Sequence, residues 1–357
     1  MQQELYASQT EVWSVSISQN LGGTMFKRRL GCSNLEVSAM GLGCWAIGGP
    51  WDWLEADGRK MPVGWGQVDD AESIRAIHFA LDAGINFFDT AANYGCGHSE
   101  RVLGQAIAGR RDKVILATKF GYLVDEENRT VTEAGDPVVR IRQECESSLR
   151  NLQADYIDLY QFHQEDLNYD LTKAAEVRDI LESLVGEGKI RWYGWSTDNP
   201  EGARVFAQGR HCTAIQHAMH MGYDTPKMLA VCEEYDQASI NRAPLGMGML
   251  TGKFNGETTF PDNDVRHGWD LKAERPAQRL KQIESVRKIF ADAGEARTQA
   301  QIALAWIWTR NDRTVPIPGF KTFAQVKENI QAIEFGLLRN EQMNKIDEIF
   351  ERAPVIS

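Results

Sequence analysis

Four side chains able to hold or pass a proton stand where apolar runs end in this sequence. Asp89 closes Ile85-Asn86-Phe87-Phe88, Lys119 closes Val114-Ile115-Leu116-Ala117-Thr118, and His163 closes Leu159-Tyr160-Gln161-Phe162. Tyr94 lies just beyond the first of these, in Asp89-Thr90-Ala91-Ala92-Asn93-Tyr94-Gly95. A charge at the end of a buried run is costly unless it is paired or put to use. A free tyrosine, with a pKa of about 10, is a poor acid near neutrality. An ammonium beside it stabilises the phenolate and makes the phenol a better proton donor. A carboxylate beside the ammonium keeps it charged and in place, and a histidine beside the phenol can hydrogen-bond and orient a carbonyl. Together these groups suit protonation of an oxyanion as it forms, which is the proton half of hydride addition to a carbonyl. The hydride has to come from a bound cofactor, since no side chain donates it. Singly, each residue has an ordinary structural role, as a loop anchor, a solvated lysine, a core tyrosine or a structural histidine. The reading rests on the four arriving together.

They arrive together only if the runs that carry them emerge on one face. Strand-length apolar runs alternate with helical patterns along most of the chain. Strands are expected at 40–45, 86–89, 113–119, 156–163, 190–196, 213–217, 237–242 and 314–317. Helices are expected near 70–83, 98–108, 138–152, 171–187, 200–208, 225–236, 297–310 and 322–333. Such alternation dictates a parallel sheet with right-handed crossovers. Eight βα units favour closure, so the fold class is α/β, a (β/α)8 TIM barrel. Two leftover helices near 276–293 and 340–350 make extra C-terminal helices. No GxGxxG follows the first strand, which argues against an open dinucleotide-binding sheet. Ahead of that strand, Leu30-Gly31 and Leu35-Glu36-Val37 flank Ser33-Asn34, an N-terminal β-hairpin signal. Such a hairpin fits the floor of a barrel. The C-terminal ends of barrel strands are where active sites lie, and all four residues fall there.

With these residues in this order, the chain resembles the aldo-keto reductase family from about Arg28 to about residue 335. Asp89-Thr90-Ala91-Ala92-Asn93-Tyr94-Gly95 is similar to the family's Asp-to-Tyr signature. Ala117-Thr118-Lys119-Phe120-Gly121 is similar to its lysine strand, and Phe162-His163 to its histidine position. The resemblance implies NAD(P)H dependence and reversible reduction of an aldehyde or ketone without metal, with Asp89, Tyr94, Lys119 and His163 in the four catalytic positions. It also implies cofactor contacts. Gly43, Trp45 and Asp89 would lie by the nicotinamide ribose, Ser196 and Gln216 by the carboxamide and ring, and Arg242 stacked on the nicotinamide. Thr197 follows Ser196 where many members carry Asn. Pro244, Leu245, Gly246 and Lys253 resemble a pyrophosphate loop, and Gly319, Lys321, Gln325, Glu328 and Asn329 the adenosine end. Lys321 would face a 2′-phosphate, and the N-terminus of the following helix favours anions. The expected cofactor is therefore NADPH over NADH. Independently of the family, glycine-rich loops let backbone approach a phosphate closely, and phosphate sites recur after the last two strands of barrels.

The 357-residue chain has a formal net charge of −11, with 43 % apolar and 25 % charged residues. That is globular composition. The acidic balance speaks against a nucleic-acid or anionic-membrane partner, though a pocket for an anionic cofactor needs only local positive charge. No apolar run is long enough to span a membrane. Six scattered cysteines without a CxxC pair read as free thiols in a reducing compartment. The expectation is a cytoplasmic enzyme acting on a small-molecule carbonyl substrate, its oligomeric state open. Residues 1–24 have no helical or strand period and the chain restarts at Met25, so they read as a disordered extension or a flexible arm, with 25–357 as a single barrel domain. His211, His217 and His220 lie close together without the converging ligands of a zinc site, so no metal is expected. Cys96, near Tyr94, reads as an inert thiol in preference to a redox gate. Trp45, Trp51, Trp53, Trp65 and Phe120 are expected at the pocket mouth, suiting flat or apolar carbonyls. Loops 46–68, 122–137 and 250–275 are expected to choose the substrate. Two rivals are a non-catalytic cofactor-sensing subunit of the same fold and a metal-dependent barrel hydrolase. The second would carry an HxH pair on the first strand, which this sequence lacks.

Overall fold

The computed structural model describes residues 26–133, 135–164 and 170–352. The expectation for residues 1–24 lies outside them. In chain order the elements are β1 (Lys27–Arg29), β2 (Glu36–Ser38), β3 (Leu42–Gly43), β4 (Asp52–Leu54), β5 (Lys60–Pro62), α1 (Asp70–Asp82), β6 (Phe87–Asp89), α2 (His98–Ala106), β7 (Ile115–Phe120), β8 (Tyr122–Asp125), β9 (Thr130–Glu133), α3 (Ile141–Leu152), β10 (Ile157–Phe162), α4 (Leu171–Gly186), β11 (Ile190–Ser196), α5 (Pro200–Ala207), β12 (Cys212–Ala218), α6 (Pro226–Glu234), β13 (Ala238–Arg242), α7 (Glu274–Asp292), α8 (Gln299–Arg310), β14 (Thr314–Pro316), α9 (Phe323–Phe335) and α10 (Asn340–Ile349).

Eight of the strands form one parallel sheet in the order β3-β6-β7-β10-β11-β12-β13-β14. The sheet closes on itself. Gly41 N donates to Pro316 O at 3.0 Å and Gly43 N to Pro318 O at 3.1 Å, which joins the first strand to the last. The helices start where side chains can satisfy their free amides. Asp69 accepts from Ala71 and Glu72 at α1, and Asn199 caps α5 ahead of Pro200. Thr298 and Thr322 each form a capping box with the glutamine three residues on. The two extra helices, α7 and α10, pack on each other.

Strand alternation sorts the side chains. Leu116, Tyr160 and Ile215 face outward into the core under the helices, while Phe87, Ala117, Leu159 and Ala214 fill the barrel interior. Two residues further along each of those strands, the inward side chain is Asp89, Lys119, Gln161 or Gln216, and all four are buried. The interior is thus apolar below and polar above. The β1–β2 hairpin closes the apolar end: Leu30, Leu35 and Val37 join the interior cluster. Gly31 makes this approach possible. Its φ is +55°, and a Cβ would lie 2.0 Å from Thr213 O.

The loops expected at 46–68 and 122–137 hold more order than their sequence signalled. They contribute a second sheet, β5-β4-β9-β8, in which β4 pairs with β5 antiparallel and with β9 parallel. Each strand has three or four residues, too few to display a period. This sheet brings Trp51 and Val131 against Ala91, Tyr94 and Cys96. Among the described residues, no helix is long and apolar enough to cross a membrane.

Candidate active site

The polar layer at the top of the barrel is built around Asp89. Lys119 Nζ donates to Asp89 Oδ1 at 2.5 Å, to Thr90 O at 2.8 Å and to the Tyr94 hydroxyl at 3.2 Å. Asp89 Oδ2 accepts from Gln161 Nε2 at 3.0 Å and from Gln216 Nε2 at 2.8 Å. Lys119 is 0 % and Asp89 2 % exposed, so water screens neither charge. Burial alone would depress the Lys119 ammonium. The Asp89 carboxylate, and after it the Tyr94 oxygen, outweigh burial and hold its pKa above the ordinary lysine value. The pair is thus a charged lysine pinned beneath a phenol, as the sequence led us to expect.

Tyr94 reaches this lysine from a tight turn. Its ring turns a face to the Lys119 Nζ cation, 4.7 Å from the centroid, and stacks on Trp45 at 6.0 Å. The turn is held by Gly95, whose φ is +60° and where a Cβ would sit 2.0 Å from Gly48 O. The loop after β3 therefore rests directly on the tyrosine's backbone. His163, one residue beyond β10, meets Tyr94 edge-on with ring centroids 5.9 Å apart. Its Nδ1 is buried without a hydrogen-bond partner among the described residues. Burial, then the Lys119 and Arg242 charges, push its pKa well below the ordinary histidine value. The imidazole is neutral at physiological pH.

This has a consequence for stability. In the unfolded chain His163 takes a proton near pH 6.5; in the folded protein it stays neutral far below that. The unfolded state then binds more protons on the acid side, so stability is full above about pH 6.5 and is lost as pH falls beneath it. The slope is at most about 1.4 kcal/mol per pH unit for one such group. His217 and His220, lowered to about 4 chiefly by burial, act with the same sign. Urea unfolding of the His163→Asn variant is expected to show a shallower loss of stability between about pH 6.5 and 5 than the wild type. An unchanged slope would assign the loss to other groups.

Above this layer opens a cleft of about 1030 Å³. Its wall holds Gly43, Trp45, Asp89, Tyr94, Gln216, Arg242, Pro244, Leu245, Lys253, Gly319, Lys321, Gln325, Glu328 and Asn329. Two expected cofactor residues stand off it. Ser196 is fully buried and its Oγ has no hydrogen-bond partner among the described residues, and Gly246 lies in the turn before Met247 and Gly248, which are on the wall. Arg242 is paired with Asp198 at 2.8 Å. Thr197 is turned from the wall, its Oγ1 accepting from Asn199 N at 3.0 Å ahead of α5. Lys321 Nζ donates to Trp65 O at 2.5 Å, and burial lowers its pKa, with Asp264 opposing and Arg266 adding to the shift. The helix N-terminus beside it is less open to an anion than expected. Phe323 N already donates to Glu72 Oε1 at 2.7 Å, and Gln325 Oε1 is spent on Lys321 N and Thr322 N. The cause is the packing of α1 against α9, seen in the Phe79–Phe323 contact at 4.6 Å.

Arg266 is a cleft residue that sequence reasoning missed. Its guanidinium sits 4.6 Å from the Trp65 ring and 4.4 Å from Phe260, and it is bonded to Asp264 at 2.7 Å. Nothing periodic marks it in the loop 250–275. Gln161 was missed as well, although it shares a strand face with His163 and is polar where Leu159 is apolar.

Other expectations resolve individually. Trp45 and Trp65 line the cleft, while Trp51 is 5 % exposed and anchors the loop core. Trp53 packs edge-on against Tyr122 at 5.5 Å. Phe120 is not at the mouth. Strand alternation turns it outward, opposite to Lys119, where it stacks on Tyr160 at 4.6 Å. Cys96 is 1 % exposed and burial pushes its thiol pKa up to about 12, which makes it inert. His211 bonds Glu182 at 2.6 Å and His217 bonds Ser239 at 2.7 Å. Among the described residues no three His, Cys, Asp or Glu side chains converge as metal ligands.

Comparison with known proteins extends this picture. Residues 39–351 match the sequence profile of the aldo/keto reductase family. The chain is similar to an aldo-keto reductase of Bacillus subtilis, 32 % identical over 331 residues, covering 90 % of this chain and 92 % of that one. Among solved structures, it is similar to the glycerol dehydrogenase of Gluconobacter oxydans, with a TM-score of 0.76 and 30 % identity over 93 % of this chain and 97 % of that one. It is also similar to an aldo-keto reductase from Klebsiella pneumoniae solved in complex with NADPH, with a TM-score of 0.64 and 25 % identity over 93 % and 97 % of the two chains.

Proposed function

The chain belongs to the aldo/keto reductase family, and on that premise we propose that it is an NADPH-dependent carbonyl reductase in which Tyr94 gives the proton. The observation that carries the reading is the buried Asp89–Lys119–Tyr94 chain of hydrogen bonds opening into the cleft. The cleft suits a dinucleotide. Lys253, Arg266 and Lys321 supply positive charge on an otherwise acidic protein, and Asn329 Nδ2 is buried on its wall without a partner among the described residues. The NADPH-bound Klebsiella pneumoniae relative supports the same cofactor.

When bound, NADPH supplies the hydride. His163, neutral and beside Tyr94, hydrogen-bonds the substrate carbonyl oxygen and turns its carbon towards the nicotinamide. Tyr94 passes its proton to that oxygen as negative charge develops there. Lys119 stabilises the phenolate left behind, and Asp89 keeps Lys119 charged and aimed. In the reverse direction the same phenolate accepts the alcohol proton. Trp45 and Trp65 give the mouth flat apolar walls, which favour flat or apolar carbonyl compounds.

NADPH oxidation, followed by its absorbance against a panel of aldehydes, ketones, sugars and quinones, tests this reading. Turnover that survives exhaustive chelation supports it. Tight NADPH binding with no turnover on any compound would instead favour a cofactor-sensing subunit. The Lys321→Met variant is expected to bind NADPH about tenfold more weakly, the loss of one charge-assisted contact, with NADH binding unchanged. Equal weakening of both nucleotides would remove Lys321 from the 2′-phosphate.

A further inference from the structure

We infer that Gln161, which lies beneath the cleft and off its wall, is a positioning residue that, together with Asp89, holds the amide of Gln216 in one orientation. It thereby presents Gln216 Oε1 as an acceptor to the carboxamide of the nicotinamide. The inference rests on the dinucleotide reading above.

The Asp89 carboxylate can only accept hydrogen bonds. Its Oδ1 is taken by Lys119. Its Oδ2 faces two amide groups, Gln161 at 3.0 Å and Gln216 at 2.8 Å, so each must turn its NH2 towards it. The second proton of Gln216 Nε2 goes to Gln161 Oε1 at 3.2 Å. Both Gln216 amide protons are then spent inside the barrel. Flipping Gln216 would set its oxygen against Asp89 Oδ2 and Gln161 Oε1, two acceptors, one of them charged. Gln161 is 0 % and Gln216 1 % exposed, so water cannot relieve that repulsion. The only polar atom Gln216 has left is Oε1. No donor among the described residues bonds it, and Gln216 forms part of the cleft wall. A carboxamide NH2 is the complementary group.

The strand between the two glutamines makes this contact possible. Gln161 on β10 pairs in register with Gly194 on β11, which has no side chain to stand between Gln161 and Gln216 on β12. Without Gln161, Gln216 keeps its NH2 on Asp89 but loses the second bond that fixes the plane of its amide, so Oε1 is no longer held in one direction.

The test uses two nucleotides, NADPH and its 3-acetylpyridine analogue, in which a methyl group replaces the carboxamide NH2. Dissociation constants are measured by quenching of tryptophan fluorescence for the wild type and for Gln161→Leu, with urea unfolding as the check on folding. The wild type is expected to prefer NADPH by about tenfold, the worth of one buried hydrogen bond. In Gln161→Leu the NADPH affinity should fall while the analogue's is unchanged, bringing the ratio towards one. Gln216→Leu should abolish the preference equally, and the double variant should add nothing further. Gln161→Met takes the place of the leucine variant if the latter does not fold. A wild type that binds NADPH without preferring it to the analogue, or a folded Gln161 variant with an unchanged ratio, overturns the inference and leaves the dinucleotide reading standing. A wild type that binds neither nucleotide overturns both.

Discussion

The Tyr94→Phe variant should reduce aldehydes at least about 10²-fold more slowly than the wild type, with NADPH binding unchanged, because a positioned general acid contributes about 10²–10⁴ in rate. The substitution removes one oxygen. The ring keeps its stack on Trp45 and its edge-on contact with His163, so the turn that carries it has no reason to move. What is lost is the hydroxyl 3.2 Å from Lys119, the proposed proton donor. The loss should appear in kcat and kcat/KM together, since the interaction is made as charge develops on the substrate oxygen. Stopped-flow oxidation of NADPH with a saturating aldehyde checks it. Comparable rates for the two proteins would mean that another group gives the proton.

The second large effect lies one residue deeper. Lys119→Met removes a fully buried cation and leaves Asp89 charged in a dry site. Breaking a buried pair from one side costs about 3–5 kcal/mol, a large fraction of the stability of an ordinary domain. Gln161 and Gln216 still donate to Asp89 Oδ2, which places the expected loss towards the lower end of that range. Turnover should also fall, because the Tyr94 phenolate loses its counter-ion. Adding Asp89→Asn separates the two roles. The double variant Asp89→Asn/Lys119→Met should regain most of the stability, the orphaned charge having gone, and none of the turnover. Urea unfolding and kcat measured on the same preparations decide it. Stability that stays low in the double variant would mean that the lysine stem, and not the charge, was doing the packing.

The legibility of this protein in its sequence follows from length and period. The barrel could be read because each βα unit repeats the same strand-then-helix signal, and closure follows from eight of them. Asp89, Lys119 and His163 could be read because a charge at the end of an apolar run is costly enough to need a reason. The small β5-β4-β9-β8 sheet could not be read, because Asp52-Trp53-Leu54 and Lys60-Met61-Pro62 are too short to show alternation. Phe120 was misplaced for a different reason. Proximity to Lys119 along the chain suggested the pocket, whereas adjacent residues of a strand face opposite ways. The same alternation, applied two residues back from His163, would have found Gln161. Ser196 and Gly246 were carried over from a resemblance, and the packing of these strands and turns sets them off the cleft wall. The helix N-terminus near Lys321 was read as open to anions because nothing in the sequence tells that Glu72, some 250 residues away, already occupies part of it.

Transfer of hydride together with a proton to a carbonyl leaves a direct isotopic record. Wild-type protein turning over an aldehyde with NADPH doubly deuterated at the nicotinamide C4 should yield an alcohol with a single deuterium on the former carbonyl carbon, one nucleotide consumed per alcohol formed, and the Tyr94→Phe variant should form that product at least about 10²-fold more slowly. An alcohol without deuterium, or product formed at the wild-type rate by Tyr94→Phe, would contradict the account.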